Sequence, residues 1–298
     1  MELVSIDDIR AAADRIAPHV LRTPLIQADD LWVKPESLQC VGSFKIRGAT
    51  NAVAVLDPQG VVTHSSGNHG QALAYAARLK GIPCVVVVPE GAPKVKTDAI
   101  RAWGAELVVV PPAQRVVAAE KLAAERGLTL VPPYDHPAVI AGQGTIGLEV
   151  MADLPGVEIV LVPVSGGGLI SGIASAVKAL DPSVRVIGVE PELAADAAES
   201  VAAGRRVSWE PERTFRTIAD GLRADLSALT FAHVRARVDA IVTVTEGEIR
   251  DAMRHLAARA RLVAEPSGAV ATAAYLAGRT APGRTVAILS GGNLDPSA

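Results

Sequence analysis

Ile159-Val160-Leu161-Val162-Pro163-Val164-Ser165-Gly166-Gly167-Gly168-Leu169 joins an unbroken apolar run to a glycine cluster, and a helix-like run follows over 170–180. An apolar run without polar alternation marks a strand covered on both faces, as in a parallel sheet. The same order of β-branched run and alanine-rich helical run occurs at 61–64 and 72–80, at 84–88 and 95–103, and at 107–110 and 116–126. Further apolar runs at 184–189 and 285–289 continue the series that starts at Ile159. Repeated βαβ units of this kind predict an α/β chain with open parallel sheets. Lys80-Gly81, Trp103-Gly104 and Arg126-Gly127 close three helical runs with the residue that best tolerates a left-handed cap. Ahead of them, Ser5 and Asp8 form a capping-box pattern, and Ile6, Ile9, Ala13 and Ile16 recur at helical spacing up to Pro18. Residues 132–137, proline-rich and polar, separate the two series and predict a crossing between lobes at 52–137 and at 1–51 with 138–298. A ligand is expected between the lobes, at the carboxyl ends of strands, where all three glycine-rich motifs sit.

The bulk composition excludes several classes of function. With 298 residues, 49% of them apolar, the chain is long enough for a large core. Its 29 basic and 32 acidic residues balance to −3 without a block of like charge, which argues against a nucleic-acid or membrane partner. Its start has no basic region followed by an apolar core, and its apolar runs are far below the ~20 residues of a spanning helix. A cytoplasmic enzyme of small molecules is the expectation. Cys40 and Cys84 are the only cysteines and have neither a CxxC partner nor metal spacing, so no structural disulfide is expected; Cys84 reads as a small buried hydrophobe.

The candidate chemistry centres on Ser43-Phe44-Lys45-Ile46-Arg47-Gly48-Ala49. An isolated lysine is nearly always a solvated surface charge. A lysine amine whose pKa is lowered by burial is instead a Schiff-base nucleophile. Its company matters: Ser65-Ser66-Gly67-Asn68-His69-Gly70 sits between a strand and a helix start, where free N–H groups suit a carboxylate. Ser165-Gly166-Gly167-Gly168 is a nest for a phosphate, and Ser290-Gly291-Gly292-Asn293 follows the last strand. Together these supply an amine for an aldehyde, polar groups for a ring, and a phosphate cradle, which is what pyridoxal 5'-phosphate (PLP) requires.

Two further patterns need weighing. Gly142-Gln143-Gly144-Thr145-Ile146-Gly147 fits the dinucleotide string G-x-G-x-x-G, but residues 137–141 make a poor strand and no acid stands about twenty residues on. An NAD-binding enzyme is therefore only a runner-up. Glu190 and Asp196 stand six apart just after a strand; by spacing alone a solvated acidic loop is the better reading than a site for a hard cation.

With these residues in view, the chain closely resembles the fold-type II PLP enzymes, tryptophan synthase beta-like in fold, and among them the serine racemase, serine/threonine dehydratase and threonine ammonia-lyase group. The resemblance runs from Arg22-Thr23-Pro24-Leu25 through SFKIRGA, THSSGNHGQALAYAA, AVIAGQGT, VPVSGGGLISG, VEPELAAD, IADG and EPSGA to LSGGN. It implies two open parallel-sheet α/β lobes with the cofactor between them. By the same resemblance Lys45 carries the Schiff base, Phe44 flanks the ring, Asn68 contacts the ring hydroxyl, Gly166, Gly167, Gly168 and Leu169 bind the phosphate, and Ser290 faces the pyridine nitrogen. Ser66 matches the residue that exchanges a proton on the opposite face in racemases; Ser65, Asn68 and His69 join it around the substrate. Glu190, the carbonyl of Ala194, and Asp196 fall on the family's positions for a divalent cation (Mg²⁺, Mn²⁺ or Ca²⁺), which reverses the reading from spacing.

Some positions depart from the pattern. Ser165 replaces a first glycine, and the segment between Leu25 and Leu38 is shorter than usual. Ala224 replaces a serine that helps hold the substrate carboxylate, while the adjacent Arg223 suits a substrate with a second carboxylate. The chain stops at Ala298, without the regulatory domain of biosynthetic threonine deaminases. The implied activity is dehydration of L-threonine, L-serine or 3-hydroxyaspartate to a 2-oxo acid and ammonia, with serine racemisation as the alternative or companion. A homodimer is implied as well.

Overall fold

The computed structural model describes residues 2–65, 67–92 and 94–294. Ten strands run β1 (Ile26–Ala28), β2 (Leu31–Pro35), β3 (Val61–Thr63), β4 (Cys84–Pro89), β5 (Glu106–Val110), β6 (Thr129–Leu130), β7 (Ile159–Pro163), β8 (Arg185–Pro191), β9 (Ala240–Val244) and β10 (Thr285–Leu289). They form a six-stranded sheet in the order β1-β2-β10-β7-β8-β9 and a four-stranded sheet in the order β5-β4-β3-β6. Every pairing is parallel except β1 with β2. The expected α/β fold with parallel sheets is therefore present. The sequence gives no forecast of β1, β2, β6 or β9: β1 and β6 are three and two residues long, and all but the last residue of β9 are partly exposed.

Alternate residues of the buried strands serve opposite layers, as pleating requires. Val160, Val162, Val286 and Ile288 join one core, while Ile159, Leu161, Ala287 and Leu289 join the other. In the smaller sheet Val61, Val86 and Val88 pack on one side, and Val62, Val85 and Val87 on the other. At about 1.5–3 kcal/mol for each fully buried aliphatic side chain, both faces need cover, and helices supply it.

The helices are α1 (Ile6–Ile16), α2 (Lys45–Leu56), α3 (Asn68–Lys80), α4 (Lys94–Ala102), α5 (Arg115–Arg126), α6 (Pro137–Asp153), α7 (Gly168–Leu180), α8 (Asp196–Ala203), α9 (Pro211–Thr214), α10 (Ala228–Arg237), α11 (Glu246–His255) and α12 (Pro266–Leu276). Ser5 caps α1 reciprocally with Asp8, as its sequence predicts. Gly81, Gly104 and Gly127 all take positive φ after their helices.

The dinucleotide-like string falls entirely within α6, with no strand feeding it. Its glycines serve packing. A Cβ on Gly142 would stand 2.6 Å from the Arg47 carbonyl, and one on Gly144 would stand 2.9 Å from that of Gly172. These close approaches let α6 lie between α2 and α7. They leave no glycine turn free to receive a pyrophosphate.

Candidate active site

A cavity of about 510 Å³ opens where strands of both sheets end: β3 leads into His64 and Ser65, β7 into Ser165–Gly168, and β10 into Ser290. The cavity is lined by Phe44, Lys45, Ser65, Asn68, His69, Gly166, Gly167, Gly168, Leu169, Arg223 and Ser290, the residues singled out in the sequence except Ser66 and the three candidate metal ligands. Ser66 lies outside the described residues.

Lys45 is the first residue of α2, and its Nζ donates to the carbonyl of Pro133 at 2.8 Å. Burial brings its amine down to about 8, and the Phe44 ring centroid lies 4.9 Å from it. An ammonium at the positive end of a helix dipole is further disfavoured. The chain is held to β10 just ahead of it, where Phe44 N–H donates to the Ser290 carbonyl at 3.0 Å and Ser43 bridges Gly291.

Asn68 opens α3. Its Nδ2 donates to Glu265 Oε1 at 2.6 Å, and its Oδ1 accepts from Asn293 Nδ2 at 2.8 Å, so the carboxamide is locked from both ends. His69 is buried with Nε2 3.0 Å from the Val131 carbonyl, which makes that nitrogen the donor. Its Nδ1 has no partner among the described residues and keeps a free lone pair. Desolvation and the Lys45 charge bring the ring down to about 3, so it is neutral at ordinary pH.

The glycines after β7 have a steric reason to be glycine. A Cβ on Gly166 would stand 2.3 Å from the Tyr134 ring; on Gly168, 2.7 Å from Tyr134 Cβ. Gly167 adopts φ +84°, a conformation open to glycine at little cost. Ser165, in place of a first glycine, exchanges hydrogen bonds with Ala224 through its hydroxyl and pins this loop to the 220–225 segment. The loop leads directly into the first turn of α7, whose N–H groups and dipole suit a phosphate. Ser290 is buried, with its hydroxyl 3.5 Å from the Ser267 carbonyl, so it offers a neutral group at the end of β10.

Arg223 donates to the Thr217 carbonyl at 2.6 Å and lies over the Phe215 ring, 5.1 Å from its centroid. Its Nε is buried without a partner among the described residues.

Glu190 is the penultimate residue of β8, Ala194 ends the short turn that follows it and Asp196 opens α8, and none of the three is on the cavity wall. Both carboxylates are 1% exposed, so the solvated acidic loop suggested by spacing is ruled out. Glu190 accepts the N–H groups of Ala197 and Ala198, while Asp196 Oδ2 has no partner among the described residues. Burial and the Asp196 charge raise Glu190 well above its ordinary value; burial and Asp225 bring Asp196 up to about 7. Two buried carboxylates without a cation partner form a set that a divalent ion would satisfy. Among the described residues, no third His, Cys, Asp or Glu side chain joins them as a ligand cluster.

Glu265 and Tyr134 are among the wall residues that the sequence reading did not single out. Glu265 starts the EPSGA string, yet only the fold reveals that it orients Asn68; burial brings its carboxyl up to about 7. Tyr134 lies in the polar crossing before α6 and packs on the glycine loop. An ion pair between Lys96 of α4 and Asp220 also lines the cavity, joining elements far apart in sequence.

Residues 16–291 match the family described as pyridoxal-phosphate dependent enzyme. A serine racemase of Arabidopsis thaliana is 43% identical, covering 96% of this chain and 92% of its own. The beta-hydroxyaspartate dehydratase of Paracoccus denitrificans is 42% identical over 99% and 98% of the two chains. The crystal structure of the T.th. threonine deaminase superposes with a TM-score of 0.93 at 46% identity, covering 99% of this chain and 100% of that one.

Proposed function

The chain belongs to the pyridoxal-phosphate dependent enzymes, and from that premise we propose that it dehydrates a β-hydroxy amino acid, L-threonine, L-serine or 3-hydroxyaspartate, to a 2-oxo acid and ammonia. The observation that carries the reading is the Lys45 amine, brought down to about 8, in one cavity with a glycine loop at a helix start and a neutral serine hydroxyl. The residues fit PLP: Lys45 for its aldehyde, Phe44 beside the ring, Asn68 for the ring hydroxyl, Gly166 to Leu169 for the phosphate and Ser290 for the ring nitrogen.

When bound, PLP draws electron density from the amino acid's Cα and so weakens the Cα–H bond and the bond to the β-hydroxyl. Lys45 would hold the cofactor through its aldehyde and would take the Cα proton on Nζ. The lowered amine pKa keeps enough neutral Nζ at pH 7–8 for this work. Backbone N–H groups of Asn68 and His69, with the Ser65 hydroxyl, orient the substrate carboxylate at the start of α3. Neutral His69 adds no proton there. Ser290 would offer the ring nitrogen a neutral hydroxyl and no negative charge, so the electron sink would be moderate and loss of the β-hydroxyl favoured.

Racemisation of serine is the second reading, supported by the similarity to the Arabidopsis thaliana serine racemase and by the resemblance that gives Ser66 the proton on the face opposite Lys45. A divalent cation at Glu190, the Ala194 carbonyl and Asp196, an assembly of two copies, a mobile small domain over 52–137, and a cytoplasmic location belong to the same proposal. No helix among the described residues is long and apolar enough to cross a membrane.

Proton NMR in heavy water, with PLP, magnesium and the three β-hydroxy amino acids competing, tests the reading. A dominant 2-oxo acid with ammonia is the expected outcome and names the substrate. Deuterium at Cα without ammonia would replace dehydration by racemisation; turnover retained by Lys45→Ala would remove the assignment of Lys45.

A further inference from the structure

Two residues beyond Lys45, Arg47 is 1% exposed and sits at the centre of a closed group of four charges. Its Nε and Nη2 donate to the two oxygens of Glu36 at 2.8 Å each, and its Nη1 and Nη2 donate to those of Glu149 at 2.6 and 3.0 Å. The guanidinium is thus forked on both edges. Lys34 completes the group, donating to Glu149 at 2.6 Å and to the Thr23 carbonyl at 2.5 Å. Thr23 and Gln39 donate to Glu36 at 2.8 and 3.0 Å, so its carboxylate has further polar partners besides Arg47.

The elements that carry these charges also carry the groups around the Lys45 amine. Lys34 lies on β2 and Glu36 follows it, and β2 pairs with β10, which ends at Ser290. Glu149 lies on α6, which begins a few residues after the Pro133 carbonyl that accepts the Lys45 N–H. Residues i and i+2 of a helix point about 200° apart, so drawing Arg47 into the network turns Lys45 toward the cavity.

Stability alone does not account for such a group. Apolar side chains of similar volume generally pack as well as a buried ion network, or better. What they lack is direction: a guanidinium forked to two carboxylates permits one rotation and one height of its helix turn.

We propose that Arg47, held by Glu36, Glu149 and Lys34, is a positioning residue that sets where the Lys45 amine stands against the Pro133 carbonyl and Ser290. This rests on the reading of Lys45 as the residue that attaches PLP.

The test uses the full chain. Borohydride reduction of the PLP-loaded protein and peptide mapping first check the underlying reading, since a label on another lysine would remove Lys45 without touching the network. Arg47→Lys, which keeps the charge and loses the fork, and Glu149→Gln, which keeps the shape, are then compared with the parent. The readouts are the pH profile of Lys45 acetylation in cofactor-free protein, kcat and KM separately, and Tm. In both variants Lys45 acetylation should change by about tenfold or more in rate, or by about one pH unit or more in midpoint, and kcat should fall by about tenfold or more with KM nearly unchanged. A fall in Tm alone, with the parent's Lys45 profile and kcat, would overturn the proposal. Should either variant fail to fold, the joint apolar replacement Lys34→Met, Glu36→Leu, Arg47→Met, Glu149→Leu decides. A folded protein with displaced Lys45 reactivity supports positioning, and one with the parent's reactivity and kcat rejects it.

Discussion

Gly168→Ala puts the proposed phosphate seat under direct strain. A Cβ at this position would lie 2.7 Å from Tyr134 Cβ, 3.0 Å from its Cα and 3.2 Å from its carbonyl oxygen. Ordinary carbon contacts are about 3.5–4.0 Å, so one of the two chains must retreat by about 1 Å. Two of the three atoms are backbone, so rotation of the Tyr134 ring gives no relief. The retreat would also carry the neighbouring Pro133 carbonyl, which accepts the Lys45 N–H at 2.8 Å. Overpacking of this size costs about 1–3 kcal/mol, which corresponds to a loss of roughly fivefold to 150-fold in PLP affinity if the strain falls on the bound form. Thermal melts of the cofactor-free protein and spectroscopic PLP titration are the assays. We expect this loss of affinity, with any share of the strain already carried by the empty loop showing instead as a fall in Tm of up to about 5 °C. Gly204→Ala is the control: its φ of +66° is strained for alanine, but nothing stands within 4 Å of the new Cβ and it is absent from the cavity wall. It should lower Tm and leave PLP binding intact. Parental PLP affinity in Gly168→Ala would refute the argument that this loop, packed on Tyr134, is the cofactor's seat.

Acylation of Lys45 in cofactor-free protein should rise with pH through a midpoint near 8, because burial lowers its pKa from 10.5 and the neutral amine is the reactive form; a midpoint near the ordinary value, read by peptide mass spectrometry, would contradict the burial seen here. Glu265, raised from 4.5 to about 7, binds its proton more tightly folded than unfolded, so its stabilising contribution is full below about 4.5 and is lost as pH rises through about 7. Glu265→Gln keeps an acceptor for Asn68 and should remove this part of the pH dependence, on the order of 3 kcal/mol between pH 4.5 and 7, in denaturation curves; an unchanged slope would count against it. Magnesium should raise Tm and a chelator should lower Tm and activity together, with Asp196→Asn abolishing both responses. Chelation without effect on either would remove the metal site.

The chemistry was legible in the sequence because its parts are local: a lysine in SFKIRGA, a glycine run after a strand, a serine after the last strand. Strand and helix order followed from uninterrupted apolar runs and alanine-rich periods, since a strand buried on both faces has no polar position to hide. Only tertiary structure decided what depends on contacts between distant segments. Glu265 lies 197 positions from the Asn68 it orients, and Arg47 gathers Glu36 and Glu149 from segments that precede and follow the smaller sheet's strands in sequence. The string from Gly142 to Gly147 shows the converse: glycine that permits a phosphate to approach is indistinguishable, residue by residue, from glycine that permits a helix to approach. Local residue identity sets which chemistry a chain can carry, because functional groups and backbone freedom are properties of single residues. Burial, the resulting pKa shifts and the aim of each side chain arise only when separate segments exclude water together, so they belong to the fold.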